Sequence, residues 1–284
     1  MKPLDRFFAS PPPLGMNRRN QLIRMWNSNA CLDAAKDKIR SKKLLAAHGI
    51  AVARTYREIG DFRQIALIPS FPDTFVIKPN RGLGGNGILV LESRGERFVN
   101  PSGERYGVED VRRHIRKILD GEYSGYLEAD LVLLEERLYP AAGLKFRESV
   151  GLPDIRLFFY RGQAVMAMFR YPTRESRGRA NLNQGAIGLG IDLESGRITH
   201  IHEKSQITAI GFDLLGVPAG FAIPKWGEIR EVATRAAELS GLILAGVDMI
   251  VDDRERVMVL EINGRPGLEI QNINERSLLE GIDL

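Results

Sequence analysis

The stretch VLEINGRPG, Val259 to Gly267, sets Glu261 and Asn263 two residues apart in an apolar run that opens at Val257. Strand side chains alternate faces, so these two oxygen-bearing groups point the same way. Upstream, LAGVDMIV (Leu244 to Val251) is a second strand carrying Asp248. The polar link Asp252-Asp253-Arg254-Glu255 suits a hairpin turn. Folding about that turn predicts Asp248 opposite Val259, with Glu261 as its diagonal neighbour about 7 Å away. Hard oxygen donors on one face, one of them able to bridge, suit Mg²⁺ and its nucleotide phosphates. The plain alternative is a hairpin with solvated carboxylates. The tail Gly264-Arg265-Pro266-Gly267 weighs against it, because it places a cation beside two anions.

A phosphate site would need more than this hairpin. RGLGGNG (81–87) contains the dinucleotide-binding string Gly82-x-Gly84-x-x-Gly87, but it leads into the apolar strand Ile88 to Leu91 and not into a helix. No Lys-Ser/Thr follows Gly87, so a Walker loop fails as well. A glycine turn between two strands can instead close its bare N–H groups over phosphates, with Lys78 reaching them from the strand before. A hairpin with a snorkelling lysine is the competing reading. Lys38, in the helical run DKIRSKK, reads alone as a surface lysine. Glu135-Glu136-Arg137-Leu138 follows an apolar strand, and such a linker can offer adenine backbone groups beside apolar walls. An exposed strand end reads equally well.

The elements that must position these groups follow from spacing. The Pro-rich start is expected as an extended arm over residues 1–34. Lys36 to His48 is a helix stopped by Gly49. Strands are expected at Thr74 to Lys78, Gly87 to Leu91, Leu131 to Glu135, Ile155 to Tyr160 and Gln163 to Phe169. Helices are expected at Val108 to Asp120 and Trp226 to Ser240. The Gly/Asn/Arg-rich stretch Tyr171 to Gly190 is too long for a plain connection and reads as a binding loop. Strands and helices mix without strict β-α-β alternation, which argues for α+β with antiparallel sheets.

With 284 residues, 44% of them hydrophobic, the chain can bury a real core. It lacks a signal peptide core and any run long enough for a membrane helix. Its one cysteine, Cys31, excludes an internal disulfide or a cysteine-built metal site. A cytoplasmic protein is expected. Residues 137–179 hold nine Lys/Arg against three Asp/Glu, and residues 1–43 hold ten against three. Nucleic acid would explain such patches, but few aromatics are interleaved with them. A pocket for phosphates and acidic substrates is the preferred reading.

Taken in order, GMNRRN (15–20), DKIRSKKLLAAHGI (37–50), VIKPNRGLGGNGI (76–88), LPDIRLFFYRG (152–162), GRANLNQGAIGLGID (178–192), AGVDMIV (245–251) and VLEINGRPGLEIQ (259–271) resemble the ATP-grasp superfamily, specifically its RimK-type α-L-glutamate ligase-like proteins. The resemblance implies two α+β subdomains, about 35–134 and 135–284, whose antiparallel sheets sandwich ATP. It places Lys38 and Lys78 on the ATP phosphates, under a lid made by Gly82, Gly84, Gly85 and Gly87. Glu135, Glu136 and Leu138 line the adenine hinge, Asp154 lies near the ribose, and Arg179 and Asn181 lie beside the reacting phosphoryl group. Asp248, Glu261 and Asn263 hold Mg²⁺ or Mn²⁺, as two ions bridged by Glu261. Arg156 and Arg265 are expected at the substrate carboxylate or acyl-phosphate. RimK-type ligases carry a further N-terminal α/β domain. Little sequence precedes Lys38 here, so its substrate surface is expected from the arm, a partner or a second subunit.

The function so implied is ATP-dependent ligation of an amino-acid or peptide carboxylate to an amine through an acyl-phosphate. A phosphotransferase with a hydroxyl acceptor and a nucleotide-binding regulator are the alternatives. No side-chain nucleophile is needed, and His48, His114, His200 and His202 read as structural or surface residues.

Overall fold

Alternation builds the smaller of two sheets. In β2 (Thr74–Pro79) Phe75, Ile77 and Pro79 are buried while the residues between them are half-buried, the period of a strand with one covered face. The structure, a computed structural model, describes residues 12–66, 70–82, 84–124, 128–147, 150–203, 206–207 and 215–282. Around β2 the sheet runs β1 (Thr55–Ile59), β6 (Val132–Glu135), β2, β3 (Leu89–Arg94), β4 (Arg97–Val99) and β5 (Arg105–Tyr106). Every pairing in it is antiparallel. Val111, Ile115 and Ile118 recur at helical spacing in the helix Val108–Leu119 and close a core with Phe75, Ile77, Leu91 and Phe98.

The larger sheet has seven strands. Their order is β11 (Gln206–Ile207), β10 (Ile198–Glu203), β9 (Ile187–Ile191), β8 (Gln163–Tyr171), β7 (Asp154–Tyr160), β12 (Leu244–Val251) and β13 (Val257–Asn263), again all antiparallel. β7 and β12 are buried at every position, as expected of central strands covered on both faces. One cover is the helix Trp226–Ser240, which buries Ile229, Ala233, Ala236 and Ala237 and stops where Gly241 turns left-handed at φ 67°. The expected α+β architecture with antiparallel sheets is the one observed.

The extended arm expected over residues 1–34 is not observed where that span is described; residues 1–11 lie outside the described residues. Beyond the proline run the described chain forms α1 (Met16–Trp26), α2 (Asn29–Lys36) and α3 (Lys38–Ala47). From Met16 onward the apolar residues are spaced for helices, and Leu22, Ile23, Leu32, Ala35 and Leu45 join Leu14 in the core of the larger sheet. The division expected at residue 35 therefore coincides with no change of core. Asp37 separates α2 from α3, its carboxylate accepting the Arg40 N–H as an N-cap.

The two sheets meet where Val259 of β13 donates its N–H to Ala51 O, just ahead of β1, at 2.9 Å. Among the described residues no helix is long and apolar enough to cross a membrane.

Candidate active site

The hairpin forms as its sequence predicts, but its register differs. Asp248 pairs directly with Glu261, and Gly246 with Asn263, because a bulge between Asp248 and Met249 leaves Leu260 without a partner and sets Met249 opposite Val259. The expected pairing of Asp248 with Val259 is thus corrected. With Met249 opposite Val259 the turn alone would set Asp248 opposite Leu260, so it is the bulge that brings Glu261 round to face Asp248.

Asp248 is not open on all sides. Arg156, opposite it on β7, donates from Nε to Oδ1 and from Nη2 to Oδ2, each at 2.6 Å. Arg170 on β8 donates to both oxygens of Asp154 at 2.5 and 2.6 Å, and from Nη2 to Asp248 Oδ2 at 2.8 Å. All four side chains are buried. Burial pushes the Asp248 carboxyl up, yet Arg156 and Arg170 outweigh it and hold it down at about 2. Arg156 is therefore turned onto a carboxylate of the protein itself, and Asp154 onto Arg170.

Lone pairs remain on this face. Asp248 Oδ1 accepts one hydrogen bond, and Asn263 Oδ1 accepts one from the Arg265 N–H at 3.1 Å. Glu261, more than one-third exposed, has Lys38 Nζ 4.0 Å away. Two carboxylates and an amide match what a protein gives a Mg²⁺ or Mn²⁺ ion whose shell phosphates and water complete. Among the described residues no group of three or more His, Cys, Asp or Glu side chains is gathered to hold an ion by itself.

Across from the hairpin lie the lysines. Lys38 Nζ donates to Asn80 O at 3.3 Å and Gly82 O at 2.9 Å, tying the start of α3 to the base of the glycine loop. Lys78 Nζ stands 2.5 Å from Glu135 Oε2, and Lys42 Nζ holds the other oxygen. Burial pushes Glu135 up, but Lys78 and Lys42 together keep its carboxyl below the usual range. Lys42 escaped the sequence reading. Its signal is the i, i+4 spacing from Lys38, on a stripe it shares with the buried Ile39 and Leu45.

Glu135 thus faces lysines, so any adenine contact at this hinge falls to the backbone beyond it. Glu136 is itself clasped to Arg54, whose N–H donates to Glu136 Oε1 at 2.7 Å. The N–H groups of Arg137 and Leu138 donate to no protein acceptor among the described residues, which leaves a polar edge for a ligand or water.

The glycine turn closes against the long loop. Asn181 Nδ2 donates to Gly84 O at 2.9 Å and Gln184 Nε2 to the same oxygen at 3.4 Å, while Arg179 Nη1 donates to Gln184 Oε1 at 3.1 Å. A Cβ on Gly85 would touch Arg179 Cδ at 3.7 Å. Gly87, at φ 76°, admits no side chain, since a Cβ there would lie 2.7 Å from the Tyr123 ring. His114, expected to be structural, is so: its Nε2 lies 2.8 Å from Gly87 O. In hydrogen exchange, amides 84–87 and 179–184 should gain protection together when a non-hydrolysable ATP analogue and Mg²⁺ are added. Unchanged exchange at saturating ligand would count against a phosphate lid.

The sequence profile of the family described as "Sugar-transfer associated ATP-grasp" matches residues 17–283. The chain belongs to this family. The match opens inside α1. Relatives bear the name "Probable alpha-L-glutamate ligase". That of Xylella fastidiosa (strain M12) is 26% identical over 280 residues, 94% of this chain and 72% of the relative. That of Xanthomonas oryzae pv. oryzae (strain MAFF 311018) is 29% identical over 244 residues, 86% of this chain and 61% of the relative. The resemblance to α-L-glutamate ligase-like proteins is borne out by these relatives. Among solved structures, a D-alanine–D-alanine ligase from Bacillus anthracis complexed with ATP aligns at TM-score 0.44 and 15% identity, over 82% of this chain and 56% of that one.

Proposed function

We propose that this ATP-grasp protein joins a carboxylate to an amine at the expense of ATP, forming an amide, ADP and phosphate. The observation that carries the reading is the direct opposition of Asp248 and Glu261, with Asn263 on the same face and Lys38 4.0 Å from Glu261. It sets hard oxygen donors against a cation at the junction of the two sheets. The names of the relatives support ligase chemistry.

The residues divide the work by charge. The glycine turn at 84–87 covers the phosphates, and Lys38 and Lys78 approach them from below. Asp248, Glu261 and Asn263 would hold Mg²⁺ or Mn²⁺, which when bound supplies positive charge against the phosphoryl oxygens. A substrate carboxylate oxygen attacks the γ-phosphorus and the bond to the β-phosphate oxygen breaks, releasing ADP. The amine then attacks the acyl carbon, loses a proton, and phosphate leaves. Arg179, held by Gln184 beside the glycine turn, is placed to meet charge that grows on the transferring group. Arg156 and Arg170 act one step back, by fixing Asp248 as an anion. Asp154, paired with Arg170, belongs to that support.

The test is a mass measurement on products of the purified protein incubated with ATP, Mg²⁺ and pooled amino acids and peptides. Products gaining the mass of one acid minus water, with ADP released in equal amount, are expected. Gain of a phosphoryl group on a hydroxyl compound would turn the reading to phosphotransfer, and nucleotide binding without turnover would turn it to a regulator.

A further inference from the structure

The segment GMNRRN (15–20) has no part in the reaction above, yet the fold brings it to the metal hairpin. α1 is clamped at both ends. The Gln271 side chain accepts from Leu14 N–H and donates to Leu14 O, each at 2.8 Å. Asn27 Oδ1 accepts from the N–H groups of Ile243 and Leu244 at 2.8 and 3.0 Å. Between these clamps Arg19 is only 8% exposed. Its Nη1 donates to Pro266 O at 3.1 Å, and its Nε and Nη2 both donate to Asn20 Oδ1, at 3.2 and 2.8 Å.

None of those acceptors is an anion, and no carboxylate among the described residues lies within 4.0 Å of Arg19 or Arg265. The neighbouring charge is of like sign. Arg265 precedes Pro266, is exposed, and is tied through its N–H to Asn263. Burial, and then the field of Arg265, lower the pKa of Arg19. A buried cation beside a second cation is costly unless an anion completes it. Among the described residues three of the five guanidinium N–H groups of Arg19 are used, which leaves one on each terminal nitrogen. Two such donors match the two oxygens of a carboxylate.

Position separates this anion from the reacting one. Pro266 packs on Gly246, where a Cβ would meet its ring at 2.9 Å. The Gly246–Asn263 row lies two residues along the hairpin from the Asp248–Glu261 row, a rise of about 7 Å. We propose that Arg19 and Arg265 form a subsite for a second, non-reacting carboxylate of the acid substrate, held beyond the Asn263 end of the metal hairpin. The acid is then a dicarboxylate or carries an acidic side chain. That assignment to the acid substrate rests on the ligase reading, whereas the subsite itself does not.

The test is calorimetric titration of the full chain, with Mg²⁺ and a non-hydrolysable ATP analogue present, using succinate, butyrate and inorganic phosphate as probes. Succinate and butyrate share a four-carbon chain and differ in the second carboxylate. Succinate should bind at least tenfold more tightly than butyrate, about one well-placed charged hydrogen-bonding group's worth. Arg19→Gln and Arg265→Gln should each weaken succinate at least tenfold and leave nucleotide affinity unchanged. Arg18→Gln, at an exposed arginine that donates to Gln21, should change neither. If Arg19→Gln fails to fold, Arg265→Gln carries the test, because that side chain is exposed.

Equal binding of succinate and butyrate, no succinate binding, or succinate binding indifferent to both arginines would overturn the subsite. Phosphate binding tighter than succinate would overturn its assignment to a carboxylate. Arginine-dependent succinate binding without any ATP-driven amide product would remove the ligase reading and leave the subsite standing. Amide formation with arginine-independent succinate binding would do the reverse.

Discussion

Replacing Glu261 by alanine is expected to lower ATP-driven turnover by about 10²-fold or more, the scale set by losing one preorganised charge group, while the fold survives. The two opposed carboxylates of the hairpin differ in a way that makes Glu261 the cleaner probe. Asp248 is locked by Arg156 and Arg170, so its removal would strand two buried guanidinium groups and confuse catalysis with stability. Glu261 is partly exposed, and among the described residues Lys38 is the cation that comes within 4.0 Å of it. Its loss still leaves Lys38 the carbonyl acceptors Asn80 O and Gly82 O. Turnover and thermal unfolding should be measured on the same preparation, with Mg²⁺ varied. A folded Glu261→Ala protein that turns over at a near-normal rate would remove the hairpin from the chemistry.

That asymmetry between Asp248 and Glu261 marks the boundary of what the sequence displays. Alternation along β13 is local, so the shared face of Glu261 and Asn263 is legible from seven residues. The register is not, because the bulge that leaves Leu260 unpaired depends on how both strands twist against their neighbours. The helix Trp226–Ser240 is legible to its last residue, since Gly241 ends it chemically. The partners of Asp248 come from positions 92 and 78 residues away, a separation that no local spacing encodes. Arg156, conspicuous in an apolar strand, is accordingly visible as unusual but not as bound to Asp248. In the same way Pro11-Pro12-Pro13 dominates the reading of the N-terminus, although Leu22, Ile23 and Trp26 already carry a helical spacing that the structure buries or half-buries. Lys42 was hidden by its own abundance in a lysine-rich helix. Only the buried Glu135 tells it apart from its exposed neighbour Lys43.

Glu135→Ala is expected to have the largest effect on stability, a loss of about 3–5 kcal/mol, because it breaks a buried ionic cluster by removing only one sign of charge. Lys42 and Lys78 both point their ammonium groups at Glu135, whose side chain is 1% exposed. Without it they would face each other with Thr55 Oγ1, 3.1 Å from Lys42, as the one neutral acceptor among the described residues. Denaturant unfolding of Glu135→Ala, Lys42→Met and the double variant forms a cycle in which the double variant should be more stable than Glu135→Ala alone, since one stranded cation has gone. Acidification supplies the sign. Lys78 and Lys42 hold the folded-state pKa of Glu135 below its ordinary value, so the cluster's contribution is complete above the unfolded carboxylate pKa. It is lost as pH falls through the folded one. The wild type should therefore shed stability in acid more steeply than Glu135→Ala. Superimposable pH profiles, or single and double variants that simply add, would mean that the lysines and Glu135 do not depend on each other. Lys78 would then owe its place beside the glycine turn to the strand alone.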